Sequence, residues 1–337
     1  MEKNQYKSQI AEEFADEMRQ QIRRTKINNF APLAILVFFI LLLSLVAKGF
    51  LSYYNFKNIL NQLSVPLLMT MGLTFVIMLG SIDISGEGLC GFCGCLVTLL
   101  VINTKNPNDY GVYAFLIAAA CGLVVGIISG VIHVKGKIPS FIVTYAMSSI
   151  MTGFAIMSYR GQPAMAKDPL LAQITTGTVG GIPYLTLSSL VIFGVALFLQ
   201  NYTRFGTYVT AIGDNETVAR NTGINVDWVK IRVFMWAGFC IGIAGVVSAI
   251  RVARGDVGLG RDTVFPAITA VVVGGTALSG GKGGVINSLI GALIVTVINN
   301  GLILLGANMY IRSALQGVII IIAVALSVPR GKKVVVK

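Results

Sequence analysis

The chain has 337 residues, of which 55% are hydrophobic and 12% charged. A soluble domain carries about twice that charged fraction, so the composition excludes an ordinary globular enzyme and selects a membrane bundle. The formal net charge of +12 does not signal nucleic acid. The basic residues sit in short connectors between apolar runs, the distribution that the positive-inside bias produces.

Residues 1–29 form a polar arm. Ile10, Phe14, Met18 and Ile22 recur every four residues and give one apolar helical stripe. Its acids (Glu12, Glu13, Asp16, Glu17) precede its bases (Arg19, Arg23, Arg24, Lys26), as the helix dipole favours. The arm is predicted to be a cytosolic helix lying on membrane lipid. The first apolar run begins near Phe30 with no small-residue cleavage site after it, and reads as a retained anchor.

A hydrocarbon core of about 30 Å takes roughly 20 helical residues to cross. Runs near that length fall at 30–47, 62–80, 89–104, 111–132, 139–159, 184–200, 232–250, 264–279, 285–305 and 312–328. They predict an all-α polytopic membrane protein of about ten transmembrane helices over 30–328, followed by a basic cytosolic tail at 329–337. The third run is short and the eighth rich in glycine, which suits broken or re-entrant segments. The arm, the tail and the connectors on their side hold about twice as many Lys and Arg as the opposite loops. Both termini are therefore expected in the cytosol.

Glycines punctuate the runs at helical spacing: Gly122, Gly126 and Gly130 lie four apart, as do Gly238 and Gly242. Such rows let helices approach closely in lipid, and predict tight packing within the bundle rather than a dedicated dimer face. Val76–Gly86 and Ala270–Gly280 both run from an apolar stretch into a Ser-Gly break. Duplicated halves with interrupted segments are common in transporters. Cys90, Cys93, Cys95, Cys121 and Cys240 all lie in apolar stretches, and His133 is the sole histidine. Thiolates at lipid depth are costly, so the cysteines read as small packing residues, and neither a metal nor a cofactor is expected.

No nucleophile–base pair stands out. The Gly281-Lys282 pair is followed by Gly283 where a phosphate-binding loop needs Ser or Thr, so no nucleotide site is expected. An ionised residue at lipid depth costs about 2.5–3.5 kcal/mol on insertion scales, which singles out Asp83 and Glu87. Asp83 and Ser85 either line a solute path at a broken helix or cap the half-helix that follows. Asn299 and Asn300 interrupt an apolar run and must find interhelical partners or a polar solute. In the long connector 200–231, Asp214 and Asn215 are capping residues, Glu216 follows in the first turn and Gly223 is a stop signal, which predicts a short helix. Taken alone, that pattern fits a docking element and a solvated loop equally.

Six stretches in order carry a family likeness: Asn58-Ile59-Leu60, Gly80–Ser85, Pro139–Thr144, Ala211–Glu216, Gly274–Gly283 and Asn299–Leu302. From about Asn55 to Val328 the chain resembles the permease subunits of ribose/galactose/xylose-type ABC importers. That resemblance implies a bundle of about ten helices in a bacterial inner membrane, working as a homo- or heterodimer with a second permease subunit. It further implies an extracytoplasmic solute-binding protein that delivers cargo and a cytosolic ABC ATPase that powers transport. On the same grounds Asp214, Asn215, Glu216, Ala219, Arg220 and Gly223 belong to a coupling helix that docks the ATPase. The expected cargo is a monosaccharide or similar small polar solute. Alternatives are a permease for nucleosides or branched-chain amino acids and, in a different class, an ion-coupled secondary transporter.

Overall fold

A computed structural model of the chain describes residues 31–327. The expected surface helix of the arm and the basic tail lie outside the described residues. Each of the ten apolar runs falls on a helix. In chain order these are α1 (Ala31–Val46), α2 (Tyr53–Met78), α3 (Gly86–Leu99), α4 (Val112–Gly136) and α5 (Ser140–Tyr159). The short α6 (Pro169–Thr176) precedes α7 (Tyr184–Tyr202), and α8 (Arg204–Asp214) and α9 (Glu216–Asn221) precede α10 (Val226–Val252). The chain continues through α11 (Val264–Val273), α12 (Val285–Leu304) and α13 (Met309–Ser327). Six of these, α2, α4, α5, α7, α10 and α12, are long and apolar enough to cross a membrane. The protein is therefore an integral membrane protein built of helices.

The third and eighth runs form fragments of 14 and 10 residues, α3 and α11, too short to span hydrocarbon alone. Two helices begin earlier than hydropathy indicates. The Ser52 side chain accepts from Asn55 N at 3.2 Å to start α2, and the Asn225 side chain accepts from Trp228 N at 3.1 Å to start α10. Their first turns are polar, so an apolar-run criterion sees a loop where capping chemistry sets a helix. The connector 200–231 is likewise mostly helical, since α8 and α9 occupy it.

The central helices are α2 and α10, which carry the fully buried Phe75 and Phe234. Two units, α2–α5 and α10–α13, run in opposite directions and exchange partners. From the first unit, α3 and α4 pack on α10; from the second, α11 and α12 pack on α2. Within the units, α3 packs on α5 and α11 on α13. This is the pattern of an inverted repeat. Its equivalences differ from the sequence pairing of Val76–Gly86 with Ala270–Gly280. The break after α2 corresponds to the one between α10 and α11, whereas 274–284 joins α11 to α12. The two similar stretches are instead spatial neighbours: Gly281 N donates to Met78 O at 2.9 Å. Both need small residues because both are pressed into the same junction.

The glycine rows face one another across α4 and α10. A Cβ on Gly122 would overlap Gly238 O, and one on Gly126 would sit 3.1 Å from Gly238 Cα. Cysteines join this packing, with Cys240 Cβ and Cys93 Cβ each 3.0 Å from the place a Cβ would take on Gly72 and Gly245. At the end of the bundle opposite α8 and α9, β1 (Ala164–Met165) pairs antiparallel with β4 (Arg254–Gly255), and β2 (Thr178–Val179) with β3 (Ile182–Pro183). From β4 a 3₁₀ turn (Val257–Gly260) runs inward along α3, where a Cβ on Gly91 would lie 2.5 Å from Val257 O and Gly260 abuts Glu87 O. It delivers α11 to the middle of the bundle, with Val264 buried against Gly86.

Candidate functional site

The stretch 79–85 between α2 and α3 is unwound; its amides as far as Ser81 still donate to carbonyls of α2, but those of Ile82 and Ile84 have no helical partner. Side chains of α5 take that place. Ser140 Oγ accepts from Ile82 N at 3.2 Å, Thr144 Oγ1 from Ile84 N at 3.0 Å and Ser148 Oγ from Gly88 N at 3.0 Å. These hydroxyls lie four residues apart on one face of α5 and act as a surrogate ladder where water is excluded. That Ser/Thr row is a signal in the sequence which hydropathy alone does not use. Asp83, 2% exposed, folds back on the break: its Oδ1 accepts from Ser85 N at 2.8 Å and Ser85 Oγ at 2.6 Å. The carboxylate is thus held at the entrance to α3 by the residue just before that helix.

The asparagine pair splits between two faces of α12. Asn300 is fully buried, and its Oδ1 accepts from Asn55 Nδ2 of α2 at 3.0 Å. Asn299 instead lines a half-open cavity, where its Oδ1 accepts from Arg312 Nη1 of α13 at 3.3 Å. Neither lies on the unwound segment that holds Asp83 and Ser85, so the four residues do not form one cluster.

The short helix in the 200–231 connector is α9. Asn215 is its N-cap, accepting from Val218 N at 3.1 Å, and Gly223 follows it with φ +86°, a left-handed conformation that suits glycine. Asp214 closes α8. Ala219 is the residue of α9 that packs inward, 3% exposed. The outward face carries a charged network. Glu216 bonds Lys230 at 2.8 Å and Arg220 at 3.2 Å, and Arg220 reaches Asp227 at 3.0 Å. Partial burial pushes the Glu216 carboxyl up, but the hydrogen bonds and charges of Lys230 and Arg220 outweigh it and leave it below the usual range. With His133 in the last turn of α4 and Lys137 just after it, these side chains line an open cavity of about 550 Å³.

One junction joins α8 to both irregular stretches. The Met78 carbonyl at the end of α2 accepts from Gly281, Gly80 lies against Ser279 O, and Gly213 of α8 is wedged between Met78 O and Gly281 N. A displacement of α8–α9 therefore bears directly on the breaks beside α2 and α11.

Interrupted helices, an inverted repeat and a helical elbow that contacts both interruptions are features of polytopic transport subunits. The chain belongs to the family described as branched-chain amino acid transport system / permease component, whose model matches residues 55–324. Among curated relatives, the ribose import permease protein of Escherichia coli (strain K12) is 33% identical over 296 residues, covering 87% of this chain and 91% of the relative. That of Haemophilus influenzae is 34% identical over 308 residues, covering 90% and 94%. The galactose/methyl galactoside import permease protein of Escherichia coli (strain K12) is 32% identical, covering 82% of this chain and 87% of the relative. No solved structure matches the chain.

Proposed function

We propose that the chain is the permease subunit of an ATP-driven importer that moves a monosaccharide or similar small polar solute across a bacterial inner membrane. The observation that carries this reading is the likeness to sugar import permeases over nearly the whole chain. The family description names branched-chain amino acids, which keeps an amino-acid cargo as the second reading. In the proposed arrangement ten helical segments make the bundle with both termini in the cytosol, and α9 projects there beside the charged face of Glu216, Arg220, Asp227 and Lys230. A partner ATPase docks on α9, while an extracytoplasmic binding protein delivers solute at the opposite end. A second permease subunit completes the pore.

Alternating access then follows from the junction at Gly213. ATP binding displaces α9, α8 carries the displacement to the two breaks, and the half-helices α3 and α11 shift relative to α2 and α10. Asp83 and Ser85 shape the first of these breaks, and Asn299 contributes to the solute path. An ion-coupled mechanism would require an acid free to exchange a proton or cation, whereas Asp83 is engaged with Ser85.

The test is charge reversal on α9 in the reconstituted complex. Glu216→Lys and Arg220→Glu are expected to lower sugar uptake per ATP hydrolysed by at least about tenfold. They should leave the fold intact, because exposed ion pairs contribute only about 0–1 kcal/mol. Unchanged coupling in both variants removes these residues from the docking role.

A further inference from the structure

At the end of the bundle opposite α9, the first half of α2, the last turns of α10 and α12, the start of α11 and the start of α13 border a half-open cavity of about 470 Å³. That volume lies within the roughly 300–1,000 Å³ typical of small-molecule sites. Its lining adds many polar side chains to the apolar surface usual at such sites. Five carboxamides reach it: Asn58, Asn61, Gln62, Asn299 and Gln316. Arg251 and Arg312 add guanidinium groups, Thr263 and Thr296 add hydroxyls, and Asp262 adds the one carboxylate. Such a set is expensive inside a bilayer unless each group finds a hydrogen-bonding partner.

The protein supplies only part of that partnership. Asn61 Oδ1, Gln62 Oε1, Thr296 Oγ1 and Arg312 Nε have no hydrogen-bond partner among the described residues. Thr296 is 4% exposed, so bulk water does not readily serve it. Pro66, one turn after Gln62, has no amide to donate and leaves the Gln62 carbonyl without its helical partner as well. Buried polar groups in native proteins are rarely left unsatisfied. Several doing so around one cavity mark a place for a ligand that brings its own donors and acceptors.

The chemistry of the wall restricts that ligand. Carboxamides and hydroxyls both donate and accept, which matches hydroxyl groups with their paired donor and acceptor character. Two guanidiniums against one carboxylate leave the wall net positive and disfavour a cationic solute. Val65, Pro66, Pro266, Val295 and Ile303 supply apolar surface against which the carbon face of a sugar ring can lie. We propose that this chamber is the solute site of the permease. It accepts an uncharged polyhydroxylated molecule of monosaccharide size, and Asn61, Gln62, Thr296, Asn299 and Arg312 are its specificity-determining contacts. The proposal rests on the importer reading above and names a sugar, rather than an amino acid, as the cargo.

The experiment uses the complete transporter, with ATPase and binding protein, in proteoliposomes. Uptake of radiolabelled ribose, arabinose, galactose and leucine is measured for the unmodified complex and for Gln62→Leu and Asn299→Leu. One sugar is expected to be taken up, and each variant to reduce its uptake about tenfold, the effect of losing one or two hydrogen bonds. As a second measurement, Gln62→Cys and Asn299→Cys are treated with a negatively charged, membrane-impermeant thiol reagent. Labelling above the unmodified chain's own level is expected, with protection by the transported sugar. Sugar uptake by the unmodified complex together with full uptake by both leucine variants, or absent labelling at both cysteines, overturns the chamber and leaves the importer intact. Uptake of leucine and of no sugar overturns the cargo class. No uptake of any of the four overturns the importer reading and the chamber with it.

Discussion

Gly213→Ala tests the junction between α8 and the two breaks. The added Cβ would overlap the Met78 carbonyl oxygen and lie 2.5 Å from Gly281 N, about 0.9 Å inside the 3.4 Å at which ordinary contact begins. Both neighbours are backbone atoms joined by the Gly281–Met78 hydrogen bond, so no flexible side chain can turn aside. Overpacking of this kind costs about 1–3 kcal/mol. Alanine recovers about 0.5–1 kcal/mol because glycine is a poor helix former. The net destabilisation is about 0–2.5 kcal/mol, located where α8 meets the two breaks. Gly194→Ala is the matched control: it lies within α7 and nothing stands within 4 Å of its added Cβ, so only the helical gain remains. Thermal unfolding of the purified complex should place Gly213→Ala several degrees below Gly194→Ala, and ATP-driven uptake should fall in the first variant alone. Equal stability and equal uptake in the two variants would refute the reasoning that α8 is wedged against the breaks.

Three further outcomes are expected. Thr144→Val removes the hydroxyl that accepts from Ile84 N and leaves a buried amide unpaired at about 1–3 kcal/mol; Thr144→Ser should restore most of the thermal stability. Asn300→Leu leaves Asn55 without its partner on α12 and should destabilise by a similar amount. Asn299→Leu, whose Arg312 partner borders the half-open cavity and can turn to water, should cost less, as comparison of the two unfolding temperatures will show. Glu216 has its carboxyl depressed in the folded protein, so its contribution is present above the ordinary carboxylate range and lost only as pH falls through the depressed value. The ratio of uptake to ATP hydrolysed, followed from pH 8 down to pH 5, should accordingly show no step due to this network.

Apolar runs were enough to locate the helices, because a helix in lipid must satisfy its own backbone and so leaves a long hydrophobic record. The glycine rows at 122–130 and 238–242 likewise announced a close helix pair. The polar first turns of α2 and α10 were hidden from hydropathy. Asn58 and Asn61 look like loop residues until the fold encloses them with Arg312 and Gln316, which lie some 250 residues further along the chain. The α9 helix was legible from Asn215, Glu216 and Gly223 because caps and stops are local chemistry. Its meeting with Gly80 and Gly281 was not, since contacts across the bundle leave no periodic trace. Asp83 fits both a path residue and a turn when read as sequence, because its partner is set by the local backbone path, and the fold engages it with Ser85.

The central claim is that the chain is a conduit whose driving force reaches it through α9 from another protein. The most direct measurement is sugar accumulation by proteoliposomes holding this chain alone or with its ATPase and binding protein, each with and without ATP and with imposed proton or sodium gradients. Accumulation against a concentration gradient is predicted only in the complete complex with ATP, and it should be lost in Glu216→Lys. Uphill accumulation by the chain alone, driven by an ion gradient, would contradict the account.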